Sequence, residues 1–139
     1  YLEKFALGQN GKKSRDNQKT EILFIERCID FLKPGTGQMA IVLPDGILTN
    51  SSLQYVRDFI MERAQILAVV SLPQFAFAHF GAGVKSSIVF IRRKGEKEKL
   101  GKYKIFMAIA DHVGYEATGK RDPQNDLIKI HEEYEKFKK

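Results

Sequence analysis

Three phenylalanines and a Lys-Ser-Ser triplet crowd one glycine-bearing stretch of this sequence: Phe75, Phe77 and Phe80, then Gly81 and Gly83, then Lys85, Ser86 and Ser87. Aromatic rings on a glycine-rich loop can stack on a nucleobase, an interaction worth about 1–3 kcal/mol per base. An ammonium followed by two hydroxyls can contact a phosphate or pin the loop. The same rings could instead tuck under the loop as a small satellite core, and the hydroxyls could satisfy a strand start, so the residues alone leave both uses open. The run Gly81-Ala82-Gly83-Val84-Lys85-Ser86 has a superficial look of a phosphate-binding P-loop. It fails because Val84 stands where glycine is required and because the segment opens into a strand, not a helix. Asp45 and Gly46 follow an apolar run, at the kind of strand end where doubly wound folds gather ligands, although a plain turn would use them equally well. His79, His112 and His131 lack ligand-like spacing, and Cys28 is the only cysteine, so neither a metal site nor a disulfide framework is expected.

The 139 residues suit one domain. A hydrophobic content of 43% can build a core, and no apolar run nears the roughly 20 residues of a membrane span. Lys and Arg total 23 against 17 Asp and Glu, for a net charge of +6. Such an excess favours polyanions through counterion release, although part of it is terminal, at Lys136, Lys138 and Lys139. The start at Tyr1 has neither an initiator Met nor a signal-peptide core, so the chain is expected to be a piece of a longer, cytoplasmic protein.

These residues need elements to position them. Residues 1–15, with Gly8 and Gly11, read as a loop or mobile lead-in, and residues 16–139 as the folded part. A helix is predicted from Asp16 or Asn17 through Leu32, ended by Lys33-Pro34-Gly35. Met39–Leu43 reads as a strand buried on both faces. Ser51 and Gln54 suggest a capping box before a second helix, and Ile66–Leu72 a second buried strand. Ser86–Arg92 then follows with too few intervening residues for a helical crossover, so it should run antiparallel beside Ile66–Leu72. Tyr103–Ala110 alternates like a further strand, residues 111–123 read as irregular, and a last helix starts near Asn125. The predicted class is α/β: a Rossmann-like mixed sheet with a late antiparallel hairpin.

Several ordered blocks resemble N6-adenine DNA methyltransferases. Residues 23–35 resemble the helix after their catalytic motif, and Ala40–Leu48 the strand and turn beyond it. Ser71-Leu72-Pro73 and Phe77–Ser87 resemble the hairpin that completes their sheet. Phe106-Met107-Ala108, Val113-Gly114-Tyr115 and Asn125-Asp126-Leu127 are similar to the tail of type I restriction–modification methylase subunits. The likeness covers nearly everything after Lys19. It departs in having no glycine-rich cofactor loop and no Asn-Pro-Pro-aromatic tetrad, and in reading Lys33-Pro34-Gly35-Thr36-Gly37 where the family has Lys-Pro-Gly-Gly.

The resemblance implies the back half of the catalytic domain of an enzyme that moves a methyl group from S-adenosylmethionine to adenine N6 in DNA. It implies specificity and restriction subunits as partners. The target base must leave the duplex, and an aromatic ring in the hairpin loop lies beside it. Phe77 matches that position, with Phe75 and Phe80 as competitors. Lys85, Ser86 and Ser87 become DNA contacts, Phe24 a wall for the cofactor's adenine, and Asp45 and Gly46 a site loop. No catalytic residue is expected in this piece, which by itself should be inert. A non-catalytic basic module that binds nucleic acid or scaffolds restriction subunits would use the same features; an upstream Asn-Pro-Pro-aromatic tetrad would decide for the enzyme. A front half removed from the sheet would leave Met39–Leu43 as an open edge, inviting self-association or cover by another chain or the lead-in.

Overall fold

Aliphatic runs become strands and amphipathic stretches become helices in a computed structural model of the chain, which describes residues 1–10 and 13–139. Gly11 of the expected lead-in lies outside the described residues. Two single turns, Leu2–Lys4 and Ala6–Gly8, precede the short antiparallel pair β1 (Gln9–Asn10) and β2 (Lys13–Ser14). Then come α1 (Thr20–Phe31), β3 (Gln38–Pro44), α2 (Asp45–Thr49), α3 (Gln54–Arg63), β4 (Ala64–Ser71) and β5 (Ser86–Arg93). The chain closes with β6 (Phe106–Ile109), β7 (Val113–Tyr115), β8 (Arg121–Asn125) and α4 (Asp126–Phe137).

The central sheet has the order β3-β5-β4-β6. β5 runs antiparallel to both β3 and β4, and β6 lies parallel to β4. Three strands therefore point one way and β5, inserted between two of them, points back. This is the mixed sheet with a reversed hairpin strand that the missing crossover implied.

Register sorts the side chains by face. Ile41, Val89 and Val69 stand opposite one another, as do Ala40, Phe90 and Ala68 on the other face. The first face buries against α1 and α3, where Ile22, Ile25, Ile29, Val56, Phe59, Ile60, Leu43 and Ile91 form the main core. Fully burying an aliphatic side chain of this size stabilises by roughly 1.5–3 kcal/mol. The second face carries a smaller core of Val70, Leu72, Ala76, Ala110 and Val113, with Leu127 and Ile130 of α4 leaning on it.

Several local expectations are corrected. Helix α1 begins at Thr20, not near Asp16, because Gln18 is used elsewhere: its Nε2 donates to Leu7 O (2.7 Å) and to the Tyr55 hydroxyl (2.9 Å). Asn50, not Ser51, caps the next helical stretch, its Oδ1 accepting from Ser52 N at 2.9 Å. Gln54 instead reaches Asp58 and Arg57. β3 is an edge strand buried mainly on one side, with Val42 46% exposed, so it is not covered on both faces. Cys28 on α1 is half-exposed, and the burial it has raises its thiol pKa. Part of the stretch read as irregular forms the antiparallel pair β7–β8. Gly114 and Pro123 had hidden it, since neither belongs to a strand pattern. The expected helix stop is present, with Gly35 at φ +82°, and Asn125 does cap α4.

The end of β5 ties the helices to the sheet. Arg93 Nη1 donates to the carbonyls of Ile29, Asp30 and Leu32 at the close of α1. Lys94 Nζ donates to Met61 O and Glu62 O at the close of α3. A cation at a helix C-terminus is favourable through both hydrogen bonds and the macrodipole, worth typically about 0.3–1 kcal/mol. Neighbouring Arg92 pairs with Glu98 at 2.7 Å and bonds Gln65 Oε1.

Candidate functional site

The parallel strands β3 and β4 end side by side across β5, and the residues flagged in the sequence collect there. Asp45 opens α2 directly after β3. Its Oδ1 accepts from Ser87 Oγ at 2.7 Å, and its Oδ2 lies 3.4 Å from Lys85 Nζ. Lys85 Nζ also donates to Ser71 Oγ at 2.6 Å, joining the end of β4 to the start of β5. The backbone closes the same ring, with Asp45 N donating to Lys85 O at 2.9 Å. Ser86 and Ser87 are buried, and Ser86 Oγ donates to Val84 O at 3.1 Å. These hydroxyls are committed inside the protein; Lys85 and Asp45 remain about one-third exposed. The result is a charge-balanced polar knot beneath the loop. It holds geometry and offers Lys85 as its accessible cation. Gly46 is exposed beside it, with open space where a side chain would stand.

Above the knot, the loop from Pro73 to Val84 is folded on itself. Gln74 Nε2 donates to Gly83 O at 2.5 Å, and Ala82 N to Phe77 O at 3.1 Å. The three rings separate by burial. Phe75 and Phe77 are half-buried against the second core, whereas Phe80 is 73% exposed. Phe80 lies against His79, ring centroids 3.8 Å apart, and His79 meets Tyr115 edge-on at 5.1 Å. Tyr115 then donates its hydroxyl to Ala76 O at 2.8 Å, fastening β7 to the loop. Ser71, His79 and Tyr115 were given no site role from sequence. Ser71 and Tyr115 stand in blocks that carry the family resemblance, but nothing local to them signals these contacts, which join elements distant in sequence.

Phe24 is 62% exposed on the side of α1 turned away from the core. Because α1 leads directly into β3, its first turns lie toward the same end of the sheet as Asp45. The structure therefore gathers Asp45, Gly46, Lys85, Ser86 and Ser87 tightly, carries Phe77 and Phe80 on the loop that joins β4 to β5 at the same end of the sheet, and leaves Phe24 separate. Among the described residues, no group of three His, Cys, Asp or Glu side chains could hold a metal ion.

Comparison with known proteins shows the family and the fold. The family model described as N-6 DNA Methylase matches residues 3–139. A candidate class I S-adenosylmethionine-dependent methyltransferase from Listeria monocytogenes superposes over 99% of this chain and 38% of its own, with TM-score 0.68 and 22% identity. A chain from a structure of type I restriction–modification complex assembly matches with 30% identity and TM-score 0.52, covering 63% of this chain and 18% of that one. The modification subunit of a candidate type I restriction enzyme from Vibrio vulnificus YJ016 matches with 22% identity and TM-score 0.51, covering 57% of this chain and 18% of its own. A search of curated proteins found no match. The chain spans well under half the length of these structures, and those below one-quarter identity speak to the fold alone.

Proposed function

Because this chain belongs to the N-6 DNA methylase family, we propose that it forms the back half, residues 16–139, of the catalytic domain of a DNA adenine-N6 methyltransferase of the type I restriction–modification kind. The observation that carries this reading is the family match across residues 3–139 together with the polar knot and aromatic loop gathered where β3 and β4 end. The 30% identity to a chain of a type I restriction–modification complex supports the finer assignment, with DNA and the specificity and restriction subunits as partners.

S-adenosylmethionine supplies an electrophilic methyl on a sulfonium. What this chain offers the cofactor is one apolar wall, the exposed ring of Phe24, suited to an adenine face. The rest of its part is positioning. The Asp45–Lys85–Ser71 knot fixes both ends of the loop to the sheet. The loop packs Phe77 on the second core and leaves it half-buried, and its exposed part is what would meet an extruded adenine. A ring so supported loses little entropy on contact, and the stack offsets part of the cost of taking the base out of the duplex. Lys85, one-third exposed, can share its charge with a phosphate without leaving Asp45, while Ser86 and Ser87 shape the loop's foot. No helix among the described residues is long and apolar enough to cross a membrane.

The test is transfer of labelled methyl from S-adenosylmethionine to adenine in DNA by the protein that carries this chain. Phe77→Ala is expected to lower the methylation rate by about 5- to 150-fold, the equivalent of one lost base–aromatic stack, with cofactor affinity nearly intact. An unchanged rate would remove Phe77 from the site; no labelled N6-methyladenine from the unaltered protein would remove the reading itself.

A further inference from the structure

The β7–β8 hairpin does more than prop the loop. Its tip turns through residues 116–120, with Gly119 N donating to Glu116 O and Glu116 N to Lys120 O, both at 2.8 Å. Gly119 sits at φ +83°, and a side chain there would come within 3.0 Å of His79 Cδ2. The tip is thus seated directly against the aromatic ring on which Phe80 rests. The next two residues, Lys120 and Arg121, are exposed, and among the described residues neither takes part in a salt bridge or donates a side-chain hydrogen bond. Arg121 stands in register with Tyr115, so its side chain leaves the hairpin on the face that meets the loop. Glu116 is an acid at the same tip. Asp122 follows Arg121 but is turned inward, accepting from Gln124 N at 2.9 Å and lying 3.2 Å from His112 Nδ1.

An exposed, supported aromatic pair beside two uncommitted cations is the combination that grips an unpaired nucleic-acid strand: stacking for a base, positive charge for its phosphates. We infer that Phe80, backed by His79, and the hairpin-tip cations Lys120 and Arg121 form a contact for the DNA strand flanking the extruded adenine. Tyr115 and Gly119 are its positioning residues. This rests on the DNA reading given above and adds to it a second surface, outside the Asp45–Lys85 knot, that holds the strand and not the target base. Phe77, half-buried, and Phe80, exposed, thereby take different nucleotides.

The test uses the full 139-residue chain and a short fluorescein-labelled single-stranded oligonucleotide carrying 2-aminopurine, titrated across a range of salt. Phe80→Ala is expected to weaken binding roughly 5- to 150-fold at fixed salt and to abolish 2-aminopurine quenching. K120Q/R121Q should weaken binding to all sequences alike and flatten the dependence of log K on log salt by about 1.4 units, at about 0.7 per phosphate contact on a single strand. K97Q/K99Q, with the same charge loss at the opposite end of the sheet, should keep the unaltered slope. An unaltered chain that fails to bind the strand overturns the inference, as does a K120Q/R121Q slope equal to that of K97Q/K99Q. Methyl transfer by the complete protein is measured in parallel. Binding without transfer retains the strand contact and removes the methyltransferase, whereas transfer with an unchanged KM for DNA in K120Q/R121Q retains the methyltransferase and removes the strand contact.

Discussion

Glu26 shows how a single buried carboxylate organises a terminus. It is 7% exposed on α1, and its two oxygens accept from Ala6 N and Leu7 N, each at 2.8 Å. This fastening seats Leu7 in the main core and brings Phe5 under the Arg27 guanidinium, 5.0 Å from its ring centroid. Hydrogen bonds to a charged acceptor are worth about 1.5–3 kcal/mol, and truncating the acceptor leaves two amide donors to find water. Glu26→Ala should therefore cost about 2–3 kcal/mol locally and free the first ten residues before the sheet opens. Hydrogen exchange resolves this: protection should fall in residues 1–10 and persist in β4 and β5. Equal protection in mutant and parent would show that Leu7 alone holds the segment.

At the scale of elements, the reversed strand was legible because Ser86–Arg92 reads directly as a strand and the count between Leu72 and Ser86 allows no crossover helix. What escaped was whatever depended on partners distant in sequence. Nothing near Gln18 announces its bonds to Leu7 and Tyr55, so the start of α1 was misplaced. The β7–β8 hairpin is short, polar and interrupted by Gly114 and Pro123, and it is tied to the distant loop by the Tyr115 hydroxyl on Ala76 O. The site residues were legible as a group because they fall at strand ends, yet the division of Phe77 from Phe80 by burial was not. The segment after β5 makes its own prediction. Glu98 accepts from Arg92 and from Gly95 N, and its pKa falls from about 4.5 to about 2. A carboxylate depressed on folding lends stability above its unfolded value and loses it as pH falls toward the folded one. Acid titration should therefore weaken the Arg92–Glu98 turn between pH 4.5 and 2, while Glu98→Gln should flatten that part of the stability curve. A mutant curve parallel to the parent's through that window would place the acid sensitivity elsewhere.

Among the described residues, the central sheet ends in two edge strands, β3 and β6. β3 presents unpaired backbone on one side, with Ala40 and Val42 exposed beside it, and the described part of the lead-in pairs with itself and not with this strand. Met107 and Ile109 on β6 are 71% and 73% exposed. Natural edges are usually blunted by charge, proline or cover, and Met39–Leu43 has none of these. The isolated chain is expected to self-associate through β3. Sedimentation velocity across a concentration series should show a growing dimer or higher species, and Val42→Lys should shift it toward monomer. A concentration-independent monomer would mean that the edge is tolerated bare.

The consecutive basic residues at the close of β5 set a division of labour within the fold. Arg93 and Lys94 spend their charge on the exposed carbonyls of two helices, and Arg92 spends its own on Glu98. A good part of the cationic surplus is thus mortar, placed at the pole remote from the loop. That pole behaves as a fixed keel, so residues of the opposite rim can be exchanged without loosening the hull beneath it.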